Sequence, residues 1–214
     1  MIIFNGKNSE KDFNIFVASK ELPPPTRKVI TETVPYMSGL WDFSYHDSNE
    51  DEYEAVTLKY SFDVIADSKQ DLNRQKTALL KWIHAKTDGR LYDSDISLNE
   101  FYSVYHAQAG WNEDDLQAEL SVDFTCYPFR RTEPETVTID LNNGKQNIEI
   151  FNKGMRSIMP IVTVQDVANI KIGNYNYSIY NGTYNSVFVL EKGTNILTVE
   201  GLGMLTIEHW AEVL

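Results

Sequence analysis

The sequence predicts a mainly β protein with one α-helix, and three observations carry that reading. From Val56 to Val64, the apolar residues Val56, Leu58, Tyr60, Phe62 and Val64 alternate with Thr57, Lys59, Ser61 and Asp63. This is the two-residue period of a half-buried strand. Beyond Asp67 the period changes. Leu72, Leu79, Leu80 and Ile83 fall on one face at about 3.6 residues per turn, with Trp82 on its flank. Asp67 as the cap, Gln70 three residues on and Gly89 past the last turn bound a helix over about 68–86. From Val137 onward only short apolar runs and turn signals remain, and the pattern predicts a second β-sandwich-sized unit without helices.

Length and composition narrow the class. The 214 residues suffice for one large core or two small ones. Lys+Arg 19 against Asp+Glu 31 leaves a net charge of −12, a surface that repels phosphate and argues against nucleic-acid binding. With 12 Tyr, 10 Phe and 4 Trp the chain holds more aromatics than an ordinary core needs, which points to β-structure or a contact surface. A single cysteine excludes an intramolecular disulfide. The opening Met1-Ile2-Ile3-Phe4-Asn5-Gly6 lacks the basic segment and apolar run of a signal peptide, and no stretch approaches the ~20 apolar residues of a membrane span. A protein made in the cytoplasm, or assembled from there into something larger, is expected.

In chain order, Ile2 to Phe4 reads as a short strand stopped by Asn5-Gly6, and Phe13 to Val17 as a second apolar run. Leu22-Pro23-Pro24-Pro25 forbids regular structure and predicts an extended arm, either a connector or a reach toward a neighbouring subunit. Strands are expected at Lys28 to Val34 and Trp41 to Tyr45, broken by Pro35 and Gly39. A charged turn follows from His46 to Glu52. After the helix, Phe101 to His106 and Gln117 to Thr125 read as strands, the latter with Leu120, Val122, Phe124 and Cys126 on one face. The segment Arg130 to Glu135 holds few apolar residues and a proline, so the boundary is placed there, giving domains 1–131 and 132–214. In the second, Asn143-Gly144 between Val137–Leu141 and Gln146–Phe151 predicts a hairpin. Further strands are expected up to Leu205–Trp210, among them Ser186 to Leu190. Turns are expected at Gly173-Asn174, Asn181-Gly182, Gly193 and Gly201.

No catalytic constellation emerges. Asp47, Asn49 and Asp51 stand at the first, third and fifth positions of a calcium loop. Glu52 occupies the sixth, where Gly is needed, and Leu58 the twelfth, where Glu should bind; the stretch reads as a solvated turn. Cys126 sits on the apolar face of a strand, which argues burial rather than nucleophilic chemistry. His46, His84, His106 and His209 have no ligand spacing, so neither a metal nor any other cofactor is expected. Tyr175, Tyr177, Tyr180 and Tyr184 read first as ordinary cross-strand packing near hairpin turns, with exposed faces that stack on sugars as the rival reading.

With these segments placed, their order resembles the distal tail protein (Dit) family of long non-contractile-tailed phages. Phe4-Asn5-Gly6 with Ser9 and Asp12-Phe13 is similar to the family's opening strand and turn. Arg27-Lys28 and the Val34-Pro35 to Gly39 break are similar to its next segment. The helix ending Leu79-Leu80-Lys81-Trp82-Ile83, then Gly89-Arg90-Leu91-Tyr92-Asp93 and Phe101-Tyr102, follow in family order, and Phe124 to Phe129 resembles the strand closing the first domain. Asn152-Lys153-Gly154, Ser157, Pro160-Ile161 and Gly193 to Leu197 resemble recurring turns of the second. The family often has Gly-Arg-Asp/Asn-Gly after Val-Pro, where this chain has Tyr36-Met37-Ser38-Gly39.

The resemblance implies an N-terminal β-sandwich with one helix that closes into a hexameric ring, and a C-terminal galectin-like β-sandwich. It implies a non-enzymatic structural protein of the virion, at the phage tail tip, assembled in the host bacterial cytoplasm. Its partners would be the tail tube protein, the tail-tip or tail-lysin protein and, in many phages, receptor-binding proteins. DNA would only pass through the channel, and no membrane is involved. The rival reading, from the tyrosine-rich second half, is a carbohydrate-binding module or host-surface adhesin.

Overall fold

The computed structural model describes residues 1–44, 51–85 and 88–214. The calcium-loop positions Asp47 and Asn49, together with Tyr45 and His46, lie outside the described residues, as does Lys86 at the end of the expected helix. The chain folds as two compact units, Met1–Arg130 with Leu214, and Arg131–Val213.

The first unit contains strands β1 (Ile2–Phe4), β2 (Lys7–Asn8), β3 (Phe16–Glu21), β4 (Thr31–Glu32), β5 (Trp41–Asp42), β6 (Val56–Ile65), β7 (Arg90–Asp93), β8 (Ser97–Asp114) and most of β9 (Gln117–Thr132). Its helices are α1 (Ser9–Phe13) and α2 (Lys69–Ile83). The main sheet runs in the order β2-β1-β7-β8-β9-β6-β3, and β4 pairs only with β5. Strands are spaced at about 4.8 Å, so β3 and β7, four places apart, would lie about 19 Å from each other in a flat sheet. Yet Lys20 on β3 reaches Asp93 on β7 at 2.9 Å, and Phe4 on β1 meets Phe124 on β9 at 4.9 Å between ring centroids. The sheet therefore folds over on itself. Its inner face buries Leu58, Tyr60, Phe62, Leu120, Val122 and Phe124, side chains that each stabilise by roughly 1.5–3 kcal/mol.

Helix α2 lies against this core through Leu72, Leu79, Trp82 and Ile83. Ser68, not Asp67, is its N-cap: extended backbone there lets the hydroxyl accept from the Asp71 N–H at 3.2 Å. Trp82 is central rather than flanking. Its indole N–H donates to the Phe4 carbonyl at 2.7 Å and its ring stacks on Phe13 at 4.7 Å. The apolar run from Phe13 to Val17 is not one strand. Asn8 caps the one-turn helix α1 through its side-chain oxygen, and Asn14, with φ +53, ends it before β3 begins.

The second unit contains β10 (Glu135–Asp140), β11 (Gln146–Asn152), β12 (Ile161–Ile172), β13 (Tyr175–Tyr184), β14 (Gly193–Leu202), β15 (Met204–His209) and β16 (Glu212–Val213). Its sheet order is β10-β15-β12-β14-β11, with β13 on β12. Strand β12 is shared: Ile161–Val164 pairs with β15, Val167–Ile172 with β14, and β13 runs along the other edge. The bend falls at Asp166, with φ +77. Gly203, with φ +80, faces it so closely that a Cβ would lie 2.2 Å from the Gln165 carbonyl oxygen. The core inside the bend includes Leu141, Val162, Val164, Leu197, Val199, Leu205 and Ile207, all at most 1% exposed.

Several local expectations are corrected here. The Asn143-Gly144 hairpin does not form, because a 3-10 turn at Leu141–Asn143 separates strands that pair elsewhere, β10 with β15 and β11 with β14. Asn181-Gly182 lies within β13, and the turn expected at Gly201 falls at Gly203, between β14 and β15. Ser186 to Leu190 contributes only the Ile158–Leu190 bridge. The expected strands at Lys28 to Val34 and Trp41 to Tyr45 shrink to two residues each. The strands expected at Phe101 to His106 and Gln117 to Thr125 are instead long arms of one β8–β9 hairpin.

Candidate interaction surface

The proline segment at Leu22–Pro25 leads into an excursion that leaves the main sheet after β3 and rejoins it at β6. Its base is fastened by backbone bonds, Lys28 N–H to Glu52 O at 2.8 Å and Glu54 N–H to Thr26 O at 2.9 Å, and by an Arg27–Asp51 ion pair at 3.1 Å. Above the base, Phe43 N–H donates to Ile30 O at 2.7 Å, and β4 pairs with β5. The Ser44 hydroxyl and N–H hold the Asp42 carboxyl below the usual carboxylate range. The tip is a turn in which Met37 N–H donates to Val34 O at 3.2 Å across Pro35-Tyr36. Tyr36 there has φ +67, a position that favours glycine and costs a tyrosine about 1 kcal/mol or more.

This arm is apolar where it should be wet. Val29, Ile30, Tyr36, Met37, Leu40, Trp41 and Phe43 are all exposed, Leu40 at 67% and Tyr36 completely. Trp41 and Phe43 lie 6.3 Å apart between ring centroids. So much contiguous apolar and aromatic side chain marks a contact surface rather than a solvated loop. In the sequence the prolines indicated an extended arm. That its side chains find no core to enter could be seen only in three dimensions.

The main sheet's outer face differs in character. Thr57 stands opposite Thr125, Lys59 opposite Asp123, Ser61 opposite Ser121 and Asp63 opposite Glu119. Asp63, Glu113, Asp114 and Glu119 line a hollow near the β8–β9 turn, where Lys76 pairs with Glu113.

Residues weighed for chemistry are dispersed. Cys126 is fully buried on β9, and burial pushes its thiol up to about 12. His209 is buried in the second unit, while His84 and His106 border a hollow beside the end of α2 in the first. Among the described residues, no group of three or more His, Cys, Asp or Glu is arranged to hold a metal ion, and no helix is long and apolar enough to cross a membrane. The four tyrosines of β13 do not form one platform. Tyr177 packs toward Phe188 at 6.1 Å, and Tyr184 packs on the second core with its hydroxyl on the Tyr180 carbonyl. Tyr175 and Tyr180 are both exposed, on opposite faces of the strand.

Two antiparallel β units, the first carrying one long helix and an apolar arm, make up a fold shared with a phage tail hub protein of known structure. The particular likeness is to the Dit protein of phage SPP1, described as a paradigm of the hub adsorption apparatus in phages infecting Gram-positive hosts. It covers 100% of this chain and 98% of that one, with a TM-score of 0.67 and 13% identity. A chain of the phage P2 baseplate, in its activated conformation with calcium, aligns over 100% of this chain and 98% of its own at a TM-score of 0.49 and 7% identity. No protein-family model and no curated protein matches the sequence.

Proposed function

We propose that this chain is a structural hub protein of a phage tail, with no catalytic role. Six copies form a ring at the distal end of the tail tube, joining the tube to the tail-tip or tail-lysin protein and to receptor-binding proteins, with a channel through which DNA passes. The first unit, Met1–Arg130, makes the ring and the second, Arg131–Val213, is carried on it. The protein is assembled in the host cytoplasm and resides in the virion. The observation that carries this reading is the end-to-end fold likeness to the SPP1 hub protein, combined with an arm whose exposed apolar surface needs a protein partner. A ring built from one subunit type uses a heterologous contact, one patch against a different patch, repeated until it closes. On this reading the apolar arm, with Val29, Ile30, Leu40, Trp41 and Phe43 exposed, supplies one half of that contact.

The test is a double substitution, Trp41→Ser with Phe43→Ser, in a tail-assembly complementation assay. These side chains contribute nothing to either core, so the subunit should fold and melt as before while tails fail at the hub stage. Normal tails from the double variant would sink the arm's assigned role.

A further inference from the structure

We propose that the free edge of β13 takes up an extended strand from a different protein, which lengthens the second unit's sheet by one strand. That the strand belongs to a different protein rests on the ring reading; the edge itself does not. β13 pairs only with β12, and its other side makes no main-chain hydrogen bond among the described residues. The turn between the two strands decides which groups face outward. Gly173, with φ +55, stands first in the two-residue Gly173-Asn174 connection, so the hairpin closes on Ile172–Tyr175 as a hydrogen-bonded pair. Tyr175, Tyr177 and Ile179 then bond to β12, while Asn176, Ser178 and Tyr180 turn their N–H and C=O groups away. The Tyr180 carbonyl accordingly accepts from the Tyr184 hydroxyl at 3.2 Å. A register shift opposite Asp166 ends the regular run, leaving Tyr175–Tyr180 as roughly 20 Å of straight edge.

Such an edge is normally blunted against stray pairing. The strands at the ends of both sheets obey this. β2 has two residues, and β3 carries a register shift between Val17 and Ser19 followed by Lys20-Glu21. β10 starts just after Pro134 and bears Glu135 and Asp140, and β11 has Glu149 at its centre. Tyr175-Asn176-Tyr177-Ser178-Ile179-Tyr180 holds no charge and no proline, in a chain of net charge −12. Outward N–H and C=O groups at every second residue fit another extended chain, bound through its main chain. Its side chains alternate to match, polar beside exposed Asn176 and Ser178, apolar beside Tyr177 and Ile179 on the core side. A second copy fits less well. An edge meets the same edge only across a two-fold axis, whereas neighbours in a closed ring present different patches to each other.

The experiment is fluorescence anisotropy of a dye-labelled, end-capped peptide, Thr-Val-Thr-Val-Thr-Val, titrated with the full chain. Binding should saturate. Ser178→Pro deletes an outward N–H without a bond to β12 being lost, and should weaken binding about tenfold or more. Ser178→Ala gives up the 2.7 Å side-chain bond to Asn169 but keeps the N–H, and should change binding less than about twofold. Thermal melts check that the variants fold, and Asn176→Pro, at the neighbouring outward N–H, repeats the test should Ser178→Pro melt early. Absence of saturable binding, or binding indifferent to both prolines, would overturn the proposal. So would a native mass that halves on Ser178→Pro, since the occupant would then be a second copy. A monomeric mass with peptide binding intact would contradict the ring and leave the edge standing.

Discussion

Lys20 and Asp93 form an ion pair at 2.9 Å between strands that stand four places apart in the same sheet. The contact exists only because the sheet folds over, and it sits where the two layers meet. Asp93 is 3% exposed and also accepts from the Tyr60 hydroxyl at 2.9 Å; Lys20 additionally reaches Asp95 at 2.8 Å. Burial and the Asp93 charge push the Tyr60 phenol well above its ordinary range, so it remains a donor. Removing the lysine leaves a buried carboxylate with only neutral donors, the Tyr60 hydroxyl and the Asp95 N–H at 2.9 Å each, and no opposite charge against it. Lys20→Met should cost roughly 2–4 kcal/mol in denaturant unfolding, and Asp93→Asn should recover part of that loss in the double variant. Burial alone would lower the Lys20 pKa, but the bonds to Asp95 and Asp93 outweigh it and the net shift is upward. The folded pKa lies above the unfolded one, so this contribution is complete below about pH 10 and disappears only in stronger alkali.

His209 predicts acid sensitivity in the second unit. Burial lowers its pKa below the ordinary 6.5; the nearby Glu135 carboxylate opposes that shift and Lys153 adds to it. The folded unit favours neutral imidazole, so stability is fully present above pH 6.5 and is lost as the pH falls through the depressed folded value. Thermal melts between pH 7.5 and 5 should show this slope, and His209→Phe should flatten it.

Cys126 predicts silence toward thiol reagents. With its thiol pushed up to about 12 and no exposed surface, native protein at pH 8 should show no reaction with a chromogenic disulfide over an hour. One equivalent should react after denaturation.

Gly203 predicts the cost of the corner. An alanine there would set its Cβ 2.2 Å from the Gln165 carbonyl in a left-handed backbone, so Gly203→Ala should lose about 2–4 kcal/mol or fail to fold. Gly144→Ala is the control. Gly144 also has positive φ but meets nothing within 4 Å, and should lose only about 1 kcal/mol.

Signals confined to one element survived into three dimensions. Alternation from Val56 to Val64 became β6, and the helical stripe at Leu72, Leu79 and Ile83 became the buried face of α2. Signals that depend on a distant partner did not. Asn143-Gly144 carries the local preference of a hairpin, yet β10 and β11 find different neighbours, and a turn dipeptide holds no information about those. Pro128 should end a strand, but β6 stops pairing with β9 at Cys126, so the missing N–H at Pro128 costs no bond to that neighbour and β9 continues. The arm was visible through Pro23–Pro25. Its role as a contact surface was not, because Trp41 and Phe43 read in sequence like any strand residues until no core is found beneath them.

The central claim is ring formation, and native mass is its most direct measure. Multi-angle light scattering on the purified full chain, with averaged electron micrographs of the same fraction, should give about six times the 24.6 kDa subunit mass and a six-fold annulus with an open centre. A monomer at every concentration, with no annular particles, would contradict the account and leave the likeness to the SPP1 hub protein as one of fold alone.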